Sequence, residues 1–254
     1  MYDFSSARIL VTGAASGIGA AVAMRLAKGN ARKLILIDRD TERLSDLGFT
    51  LPCERQPIVG DVADEELWAR ADLTGLTHAV VNAGIGGAGT AIADMSFDDW
   101  RRVIRVNLDG AFLTLQAALK AIRSTGSGGA IVITGSAAGI RAEPGTAAYG
   151  ASKAAVIHLA RIAAKEAAAD GIRVNAIAPG GVETPIWTGV PFFDELVQRT
   201  GSEEGAYKAI GSLATPLGRF ATADEIAGQV AFLLSEEAGY MTGACLVADG
   251  GYSL

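Results

Sequence analysis

The chain has 254 residues, of which 50% are hydrophobic and 20% are charged, and its formal net charge is −6. The apolar content excludes a disordered chain, and the 32 glycines follow no Gly-X-Y period, which excludes collagen. The acidic balance and the absence of a lysine or arginine block disfavour binding to nucleic acid or to an anionic membrane.

Short apolar runs alternate with segments of helical spacing along the whole sequence. The runs are rich in Val, Ile and Leu and do not alternate with polar residues, which is typical of strands buried on both faces of a parallel sheet. The predicted strands are 8–12, 34–38, 54–59, 78–82, 130–134, 173–178 and 244–248. The predicted helices are 17–28, 41–47, 64–71, a long helix from 96 to about 123, 147–168 and 222–234.

This alternation predicts the fold class. Strands that alternate with helices require right-handed crossovers, which place helices on both faces of a parallel sheet. No linker, internal repeat or low-complexity tract divides the chain. We therefore expect an α/β fold, a Rossmann-type doubly wound sheet of seven parallel strands, in a single domain that spans residues 1–254.

The few cysteines and histidines indicate the setting of the protein. Cys53 and Cys245 lie far apart, neither belongs to a CxxC pair, and the only histidines are His78 and His158. These residues imply no disulfide framework, and no metal-ligand spacing can be assembled from them. No apolar stretch reaches the roughly 20 residues that cross a bilayer. We expect a soluble, cytoplasmic protein without a bound metal.

A glycine-rich turn, TGAASGIG at residues 12–19, follows the first strand and opens the first helix. Glycines allow the backbone to approach a pyrophosphate, whose charge is stabilised at the helix N-terminus. Asp38 ends the second strand about 20 residues further on, where a carboxylate can accept from both ribose hydroxyls of adenosine. The turn therefore either binds a dinucleotide or only closes a tight crossover, and Asp38 favours binding of NAD.

Five motifs in register resemble those of the short-chain dehydrogenase/reductases. They are the glycine turn, Asn82-Ala83-Gly84 after the fourth strand, Ser136 after the fifth, Tyr149-x3-Lys153, and Pro179-Gly180 after the sixth. The resemblance covers essentially the whole chain and implies a nicotinamide cofactor. The residues that it places at this cofactor are Gly13, Ser16, Gly17, Ile18, Gly19, Asp38, Asp61, Val62, Asn82, Ala83, Gly84, Tyr149, Lys153, Pro179, Gly180, Val182 and Thr184.

Four residues are candidates for the chemistry. Tyr149 and Lys153 share one face of a helix. A neighbouring ammonium and an oxidised nicotinamide ring both favour the phenolate, so we expect Tyr149 to exchange a proton with an alcohol or a carbonyl as hydride moves. Ser136 can hold the substrate oxygen beside Tyr149. The resemblance assigns Asn107 to a water that links Lys153 to solvent.

Each of these residues also has a structural interpretation. Tyr-x3-Lys often marks a surface pair, Ser136 lies in a turn of small residues, and Asn107 can be a satisfied polar residue in a helix. Their combination favours an enzyme. The alternatives are an NADPH-dependent 3-ketoacyl-type reductase, which usually has a basic residue where Ser16 stands, and a non-catalytic dinucleotide sensor, which typically lacks the Tyr/Lys pair. An enoyl reductase spaces that pair more widely.

Residues 185–220 interrupt the alternation, and the resemblance identifies them as a substrate lid. The aromatic residues Trp187, Phe192, Phe193 and Tyr207 either line an apolar pocket for a bulky ketone or secondary alcohol or pack the lid onto the core. Arg141 and Glu143, just after Ser136, either add polar selectivity or are surface charges.

Two predicted helices carry almost no charge. Residues 108–119 contain only Asp109 as an ionisable group, and 147–160 contain only Lys153 and His158. A helix that packs one face on a sheet usually leaves the other face polar. We therefore expect a second subunit on these faces, in a homo-oligomer that is most simply a homotetramer.

Overall fold

The seven predicted strands pair in parallel in one sheet. The computed structural model describes residues 2–87 and 89–254, apart from the side chain of Phe49. The strand order is β3-β2-β1-β4-β5-β6-β7, which confirms the predicted doubly wound sheet. The strands are β1 (Arg8–Thr12), β2 (Lys33–Asp38), β3 (Glu54–Val59), β4 (His78–Val81), β5 (Gly129–Thr134), β6 (Ile172–Pro179) and β7 (Cys245–Ala248).

Helices connect the strands and cover both faces of the sheet. The α-helices are α1 (Gly17–Lys28), α2 (Thr41–Thr50), α3 (Glu65–Arg70), α4 (Phe97–Ile104), α5 (Gly110–Thr125), α6 (Ala147–Ala167), α7 (Pro191–Thr200), α8 (Glu203–Ala214) and α9 (Ala223–Leu234). Short 3-10 helices span Ile92–Asp94, Ala137–Gly139, Ala168–Asp170, Pro185–Trp187 and Glu236–Ala238.

Side-chain caps explain where several helices begin. Asp40, Asp64 and Ser96 each accept a hydrogen bond from a main-chain N–H in the first turn of α2, α3 and α4. At α9 the Thr222 hydroxyl accepts from Glu225 N, and the Glu225 carboxylate accepts from Thr222 N. These contacts satisfy N–H groups that have no acceptor inside the helix.

Alternate residues of the central strands enter two separate cores. Ile9 and Val11 of β1 pack with α1 and α9 on one face, whereas Leu10 packs with α5 and α6 on the other face. The prediction that all strands are buried on both faces is wrong for β3, where Val59 is 46% exposed. The reason is that β3 lies at an edge of the sheet.

The long helix predicted from Ser96 to about Arg123 is not continuous. A π-helical turn, Arg105–Asp109, separates α4 from α5 and contains Asn107. The Asn107 side chain bonds to both main-chain polar groups of Ile85, which lies after β4. The alternation also failed to predict α7 and α8, because both lie with α9 in the single connection from β6 to β7 and so do not alternate with strands. Among residues 2–87 and 89–254, no helix is long and apolar enough to cross a membrane.

Candidate active site

A continuous cleft of about 920 Å³ follows the carboxyl ends of the strands. The cleft crosses the point where β1 lies between β2 and β4, and the strand order reverses at this point. Ligands of open α/β sheets bind at such points. Two of the predicted site residues, Gly19 and Asn107, do not line this cleft. The predicted residues that line it are Gly13, Ser16, Gly17, Ile18, Asp38, Asp61, Val62, Asn82, Ala83, Gly84, Ser136, Tyr149, Lys153, Pro179, Gly180, Val182 and Thr184.

The glycine turn forms a cradle at the start of α1. A Cβ on Gly19 would lie 1.9 Å from the oxygen of Gly13, and Gly13 itself has φ +65° and packs against Ala83. No side chain would fit at these positions. The Ser16 side chain does not cap α1, and the first turn contains no acidic residue. The positive end of this helix is therefore open to an anion at the cleft.

Asp38, at the end of β2, is hydrogen-bonded to the glycine turn. One carboxylate oxygen accepts from Ala15 N at 2.9 Å, and the other accepts from Asp40 N at 3.0 Å. Each carboxylate oxygen can accept a second hydrogen bond, so Asp38 can also receive ribose hydroxyls. Arg39 and Arg43 line the same end of the cleft, where Arg43 pairs with Asp40 at 3.6 Å.

Asp61 lies after β3 at the same end. Its carboxylate accepts from Ala63 N at 3.0 Å and pairs with Arg105 at 2.7 Å. Burial raises the pKa of Asp61, but these two contacts outweigh it and hold the pKa below its usual value. The adjacent Val62 is buried, and its main-chain oxygen accepts from Trp68 Nε1 at 2.8 Å.

Asn82 ties three strands together beneath the cleft. Its amide nitrogen donates to the main-chain oxygen of Thr12 in β1, and its amide oxygen accepts from the hydroxyl of Thr134 in β5. The Thr12 hydroxyl in turn accepts from the main-chain N–H groups of Asn82 and Ala83. The predicted turn after β4 is therefore held in place by polar contacts across the centre of the sheet.

Tyr149 and Lys153 lie on one face of α6. The Lys153 nitrogen donates to the main-chain oxygen of Thr134 at 2.9 Å and lies 5.7 Å from the centre of the Tyr149 ring. Burial lowers the pKa of Lys153 to about 8. Burial also raises the pKa of Tyr149, and a hydrogen bond with Ser136 opposes this increase only in part. The expectation that Lys153 lowers the pKa of Tyr149 is therefore wrong for the protein without cofactor, because burial raises that pKa and the opposing contact is with Ser136.

Asn107 and Gly84 lie next to Lys153. Asn107 Oδ1 accepts from Ile85 N at 2.8 Å, and its Nδ2 donates to the Ile85 oxygen and to Ser152 Oγ. A Cβ on Gly84 would lie 3.3 Å from Asn107 Oδ1 and 3.4 Å from Lys153 Nζ. Glycine at this position thus leaves room between the amide and the ammonium.

Side chains of residues 185–220 hold the segment that follows β6. Trp187 Nε1 donates to the main-chain oxygen of Val182 at 2.9 Å, and the Tyr207 hydroxyl donates to that of Thr184 at 3.1 Å. Sequence reasoning missed both contacts, because a main-chain acceptor leaves no signature in the residue types.

The lid aromatics divide between the two predicted roles. Phe193 and Tyr207 are buried with Phe220 in a small core of their own. Trp187 stacks on Phe220 with 5.4 Å between the ring centres, and Trp187 also lines the cleft. Phe192 lines the cleft too and remains 48% exposed.

Two further polar residues line the cleft, and one of them had no signal in the sequence. Glu143 lies on the loop before α6, and Tyr252 reaches the cleft from the C-terminal turn.

Among the described residues, no group of three or more His, Cys, Asp or Glu side chains could hold a metal ion.

Comparison with known proteins identifies the family. A family model described as enoyl-(acyl carrier protein) reductase matches residues 13–253. The chain is 35% identical to cis-4-hydroxycyclohexanecarboxylate dehydrogenase of Sinomonas cyclohexanicum, over 98% of each protein. It is 34% identical to 2,5-dichloro-2,5-cyclohexadiene-1,4-diol dehydrogenase of Sphingobium indicum, over 100% of this chain and 99% of that protein.

A solved structure agrees with these relatives. A short-chain type dehydrogenase/reductase from Mycobacterium marinum superposes with a TM-score of 0.86 at 33% identity, over 99% of this chain and 97% of that one. The present chain is therefore an oxidoreductase that acts on alcohols or ketones with a nicotinamide cofactor, and it belongs to the short-chain dehydrogenase/reductase family.

Proposed function

We propose that this protein transfers hydride between NAD(H) and a secondary alcohol or ketone on a six-membered ring, with Tyr149 as the acid–base group. The observation that carries the proposal is the convergence of Ser136, Tyr149 and Lys153 on the cleft that Asp38 lines at its other end. Titratable groups with shifted pKa values that meet in a cleft are typical of a catalytic site.

The residues present fit a dinucleotide. The cradle at Gly13 and Gly19 and the uncapped start of α1 would receive the pyrophosphate, Asp38 the adenosine ribose, and Val182 and Thr184 the nicotinamide amide. Bound there, the cofactor would supply or remove the hydride.

Asp38 favours NAD over NADP. A 2′-phosphate would bring a second anion against its carboxylate, and close like-charge contacts cost several kcal/mol. Arg39 is exposed beside it and is the one feature that favours a phosphate. Asp38 outweighs Arg39, because its carboxylate is fixed by two main-chain N–H groups and cannot turn away freely.

The proton moves through Tyr149 in this proposal. A tyrosine phenol is protonated at neutral pH, so it can donate its proton as the general acid of ketone reduction. Ser136 holds the substrate oxygen beside the phenol, and Lys153 lies on the next turn of the helix with its ammonium fixed by Thr134. Asn107 acts as a positioning residue, because it holds the Ile85 backbone beside Lys153.

The substrate class follows from the cleft and from the relatives. Trp187, Phe192 and Ile186 form an apolar wall of the cleft. The two relatives are named for six-membered rings with substituents at positions 1 and 4. We therefore expect a ring alcohol or ketone with a second polar group across the ring.

Initial rates test this function directly. We expect turnover of cyclohexanol and cyclohexanone derivatives, with kcat/KM for NAD(H) on the order of 10²-fold above that for NADP(H). Higher efficiency with NADPH and a 3-ketoacyl thioester would support the 3-ketoacyl reductase instead. NADH binding without turnover of any ketone or alcohol would support the sensor. An enoyl reductase is disfavoured by the three residues between Tyr149 and Lys153.

We also propose that the chain is one domain, with residues 185–220 as its lid, and that it forms a homotetramer. The proposal of a tetramer rests on exposed apolar side chains of α5 and α6. Phe112 is 46% exposed and Ile162 is 43% exposed on these helices. Closed symmetric assemblies are the common way to bury such faces.

A further inference from the structure

Three side chains from two distant parts of the sequence meet at the edge of the cleft. Arg141 Nε lies 3.2 Å from Glu143 Oε1. The Arg141 guanidinium also lies over the Tyr252 ring, 4.7 Å from its centre, and donates to the main-chain oxygen of Tyr252. Arg141 thus joins the loop before α6 to the C-terminal turn.

Only two of the three residues line the cleft. Glu143 and Tyr252 line it, whereas Arg141 does not. Burial, followed by the hydrogen bond that its hydroxyl makes with the Glu143 carboxylate, raises the pKa of Tyr252 to about 12. The tyrosine is therefore a neutral phenol at neutral pH. A ligand at this edge therefore meets a carboxylate that is paired with Arg141 and bonded to Tyr252, and whose remaining lone pairs can still accept from a donor.

Both lining residues are held by contacts to the catalytic framework. The main-chain oxygen of Glu143 accepts from the Thr146 hydroxyl at 2.7 Å, and Thr146 is the residue before α6, the helix that bears Tyr149. On the other side, Asp249 accepts from the N–H groups of Gly251 and Ser253 on either side of Tyr252. The C-terminal turn that begins at Asp249 packs against Gly180, since a Cβ added to Gly180 would lie 2.8 Å from Asp249 Cα.

We propose that Glu143 and Tyr252 form a subsite for a second hydroxyl group of the substrate, one that is distant from the carbon that reacts. The inference rests on the proposed function, because it assumes a ring substrate beside Tyr149. A carboxylate only accepts hydrogen bonds, so it requires a donor, and a neutral hydroxyl is such a donor. A substrate carboxylate would meet the like charge of Glu143, and the cation of Arg141 does not line the cleft, so the subsite selects against acids.

Matched substrates provide the test. Three ring ketones are compared by their catalytic efficiency: cyclohexanone, its 4-hydroxy derivative and its 4-carboxylate derivative. Each is assayed with the wild type and with Glu143→Gln, Glu143→Ala and Tyr252→Phe. Glu237→Gln is the matched control, because Glu237 is an exposed glutamate that does not line the cleft. Thermal unfolding of each variant verifies that it is folded.

We expect the wild type to prefer the hydroxy ketone over cyclohexanone by roughly tenfold, since hydrogen bonds to charged groups are the stronger ones. Glu143→Ala should bring this ratio close to one, mainly through KM. Glu143→Gln should raise the efficiency with the 4-carboxylate derivative, relative to cyclohexanone, by about tenfold. The control should match the wild type.

The outcomes separate the inference from the proposed function. If the wild type reduces cyclohexanone and neither Glu143 variant changes the two ratios, the subsite is wrong and the proposed function stands. If no ring ketone is reduced, the proposed function fails and the subsite fails with it. A change in Glu143→Ala that Tyr252→Phe does not share supports Glu143 and removes Tyr252 from the subsite.

Discussion

The Tyr207 hydroxyl donates a hydrogen bond to the main-chain oxygen of Thr184, with 3.1 Å between the two oxygen atoms. Tyr207 belongs to helix α8 of the lid, and Thr184 ends the segment that follows β6. Thr184 also contacts the glycine turn, since a Cβ on Gly17 would lie 3.2 Å from its side chain. This hydrogen bond therefore connects α8 to the segment after β6 that lies beside the glycine turn.

Replacing Tyr207 by phenylalanine removes this hydrogen bond and keeps the ring in its packing with Phe193 and Phe220. A neutral hydrogen bond contributes about 1 kcal/mol, so we expect KM for NADH to rise about fivefold. Tyr240→Phe is the control, because Tyr240 is fully exposed. A loss of thermal stability without any change in KM would show that the bond only holds the lid together.

Asp38 should determine the choice of cofactor through its charge. Asp38→Asn removes the negative charge and keeps one oxygen as an acceptor for a main-chain N–H. We expect the ratio of kcat/KM for NADP(H) to that for NAD(H) to rise at least tenfold. Asp38→Ala also loses the hydrogen bond from Ala15 N, so it should weaken the binding of both cofactors. Asp46→Asn, an exposed change on α2, serves as the control.

An unchanged ratio in both Asp38 variants would contradict the role of this carboxylate. Equal efficiency with NAD and NADP in the wild type would contradict it as well, and would point to Arg39 as the stronger influence.

His78 should make the protein sensitive to mild acid. Burial, with Arg173 nearby, lowers the pKa of His78 from 6.5 to about 4. Between these values the unfolded chain binds the proton and the folded chain does not, so the free energy of unfolding decreases as the pH falls from 6.5 to 4. The decrease from this residue is at most about 3 kcal/mol. Its Nδ1 lies 2.7 Å from the Thr77 hydroxyl.

Urea unfolding of the wild type and of His78→Gln across this pH range measures the effect. The difference in unfolding free energy between the two proteins should shrink as the pH falls, whereas His158→Gln, a change at an exposed histidine, should run parallel to the wild type. A constant difference for His78→Gln would show that His78 does not titrate as expected.

The proposed tetramer can be tested at α6. Light scattering of the wild type at micromolar concentration should give the mass of four chains. Ile162→Glu replaces an exposed apolar side chain of α6 with a charge and should shift the protein to a smaller species, since an unpaired charge is costly in an interface. A monomer mass for the wild type would contradict the assembly and leave the apolar faces of α5 and α6 unexplained.

Most of the fold could be predicted, because a parallel sheet buried on both faces appears in the sequence as uninterrupted apolar runs. The bounds of β1, β3 and α1 agree with the prediction. The π-helical turn at Asn107 could not be predicted, because it depends on Ile85 and not on local helical preference. The lid helices had weak local signals, which were Pro191 in the first turn of α7 and the Ser202 cap of α8.

The candidate site could be predicted where residue types carry the chemistry, and the prediction was incomplete where geometry carries it. Type and spacing pointed to Tyr149 and Lys153, the family resemblance pointed to Ser136, and all three residues line one cleft. The place of Tyr252 beside Glu143 depends on how the last turn of the chain packs against Gly180, which no spacing reveals. The raised pKa of Tyr149 also depends on burial in the folded protein, and the sequence pattern suggested the opposite direction.

The central claim is that Tyr149 exchanges the proton as hydride moves. Single-turnover reduction of a ring ketone by the NADH-loaded protein tests it in Tyr149→Phe, with NADH affinity measured separately by fluorescence titration. We predict a rate about 10²–10⁴-fold below that of the wild type, with NADH affinity within about threefold. A variant that binds NADH normally and keeps more than about a tenth of the wild-type rate would contradict the account.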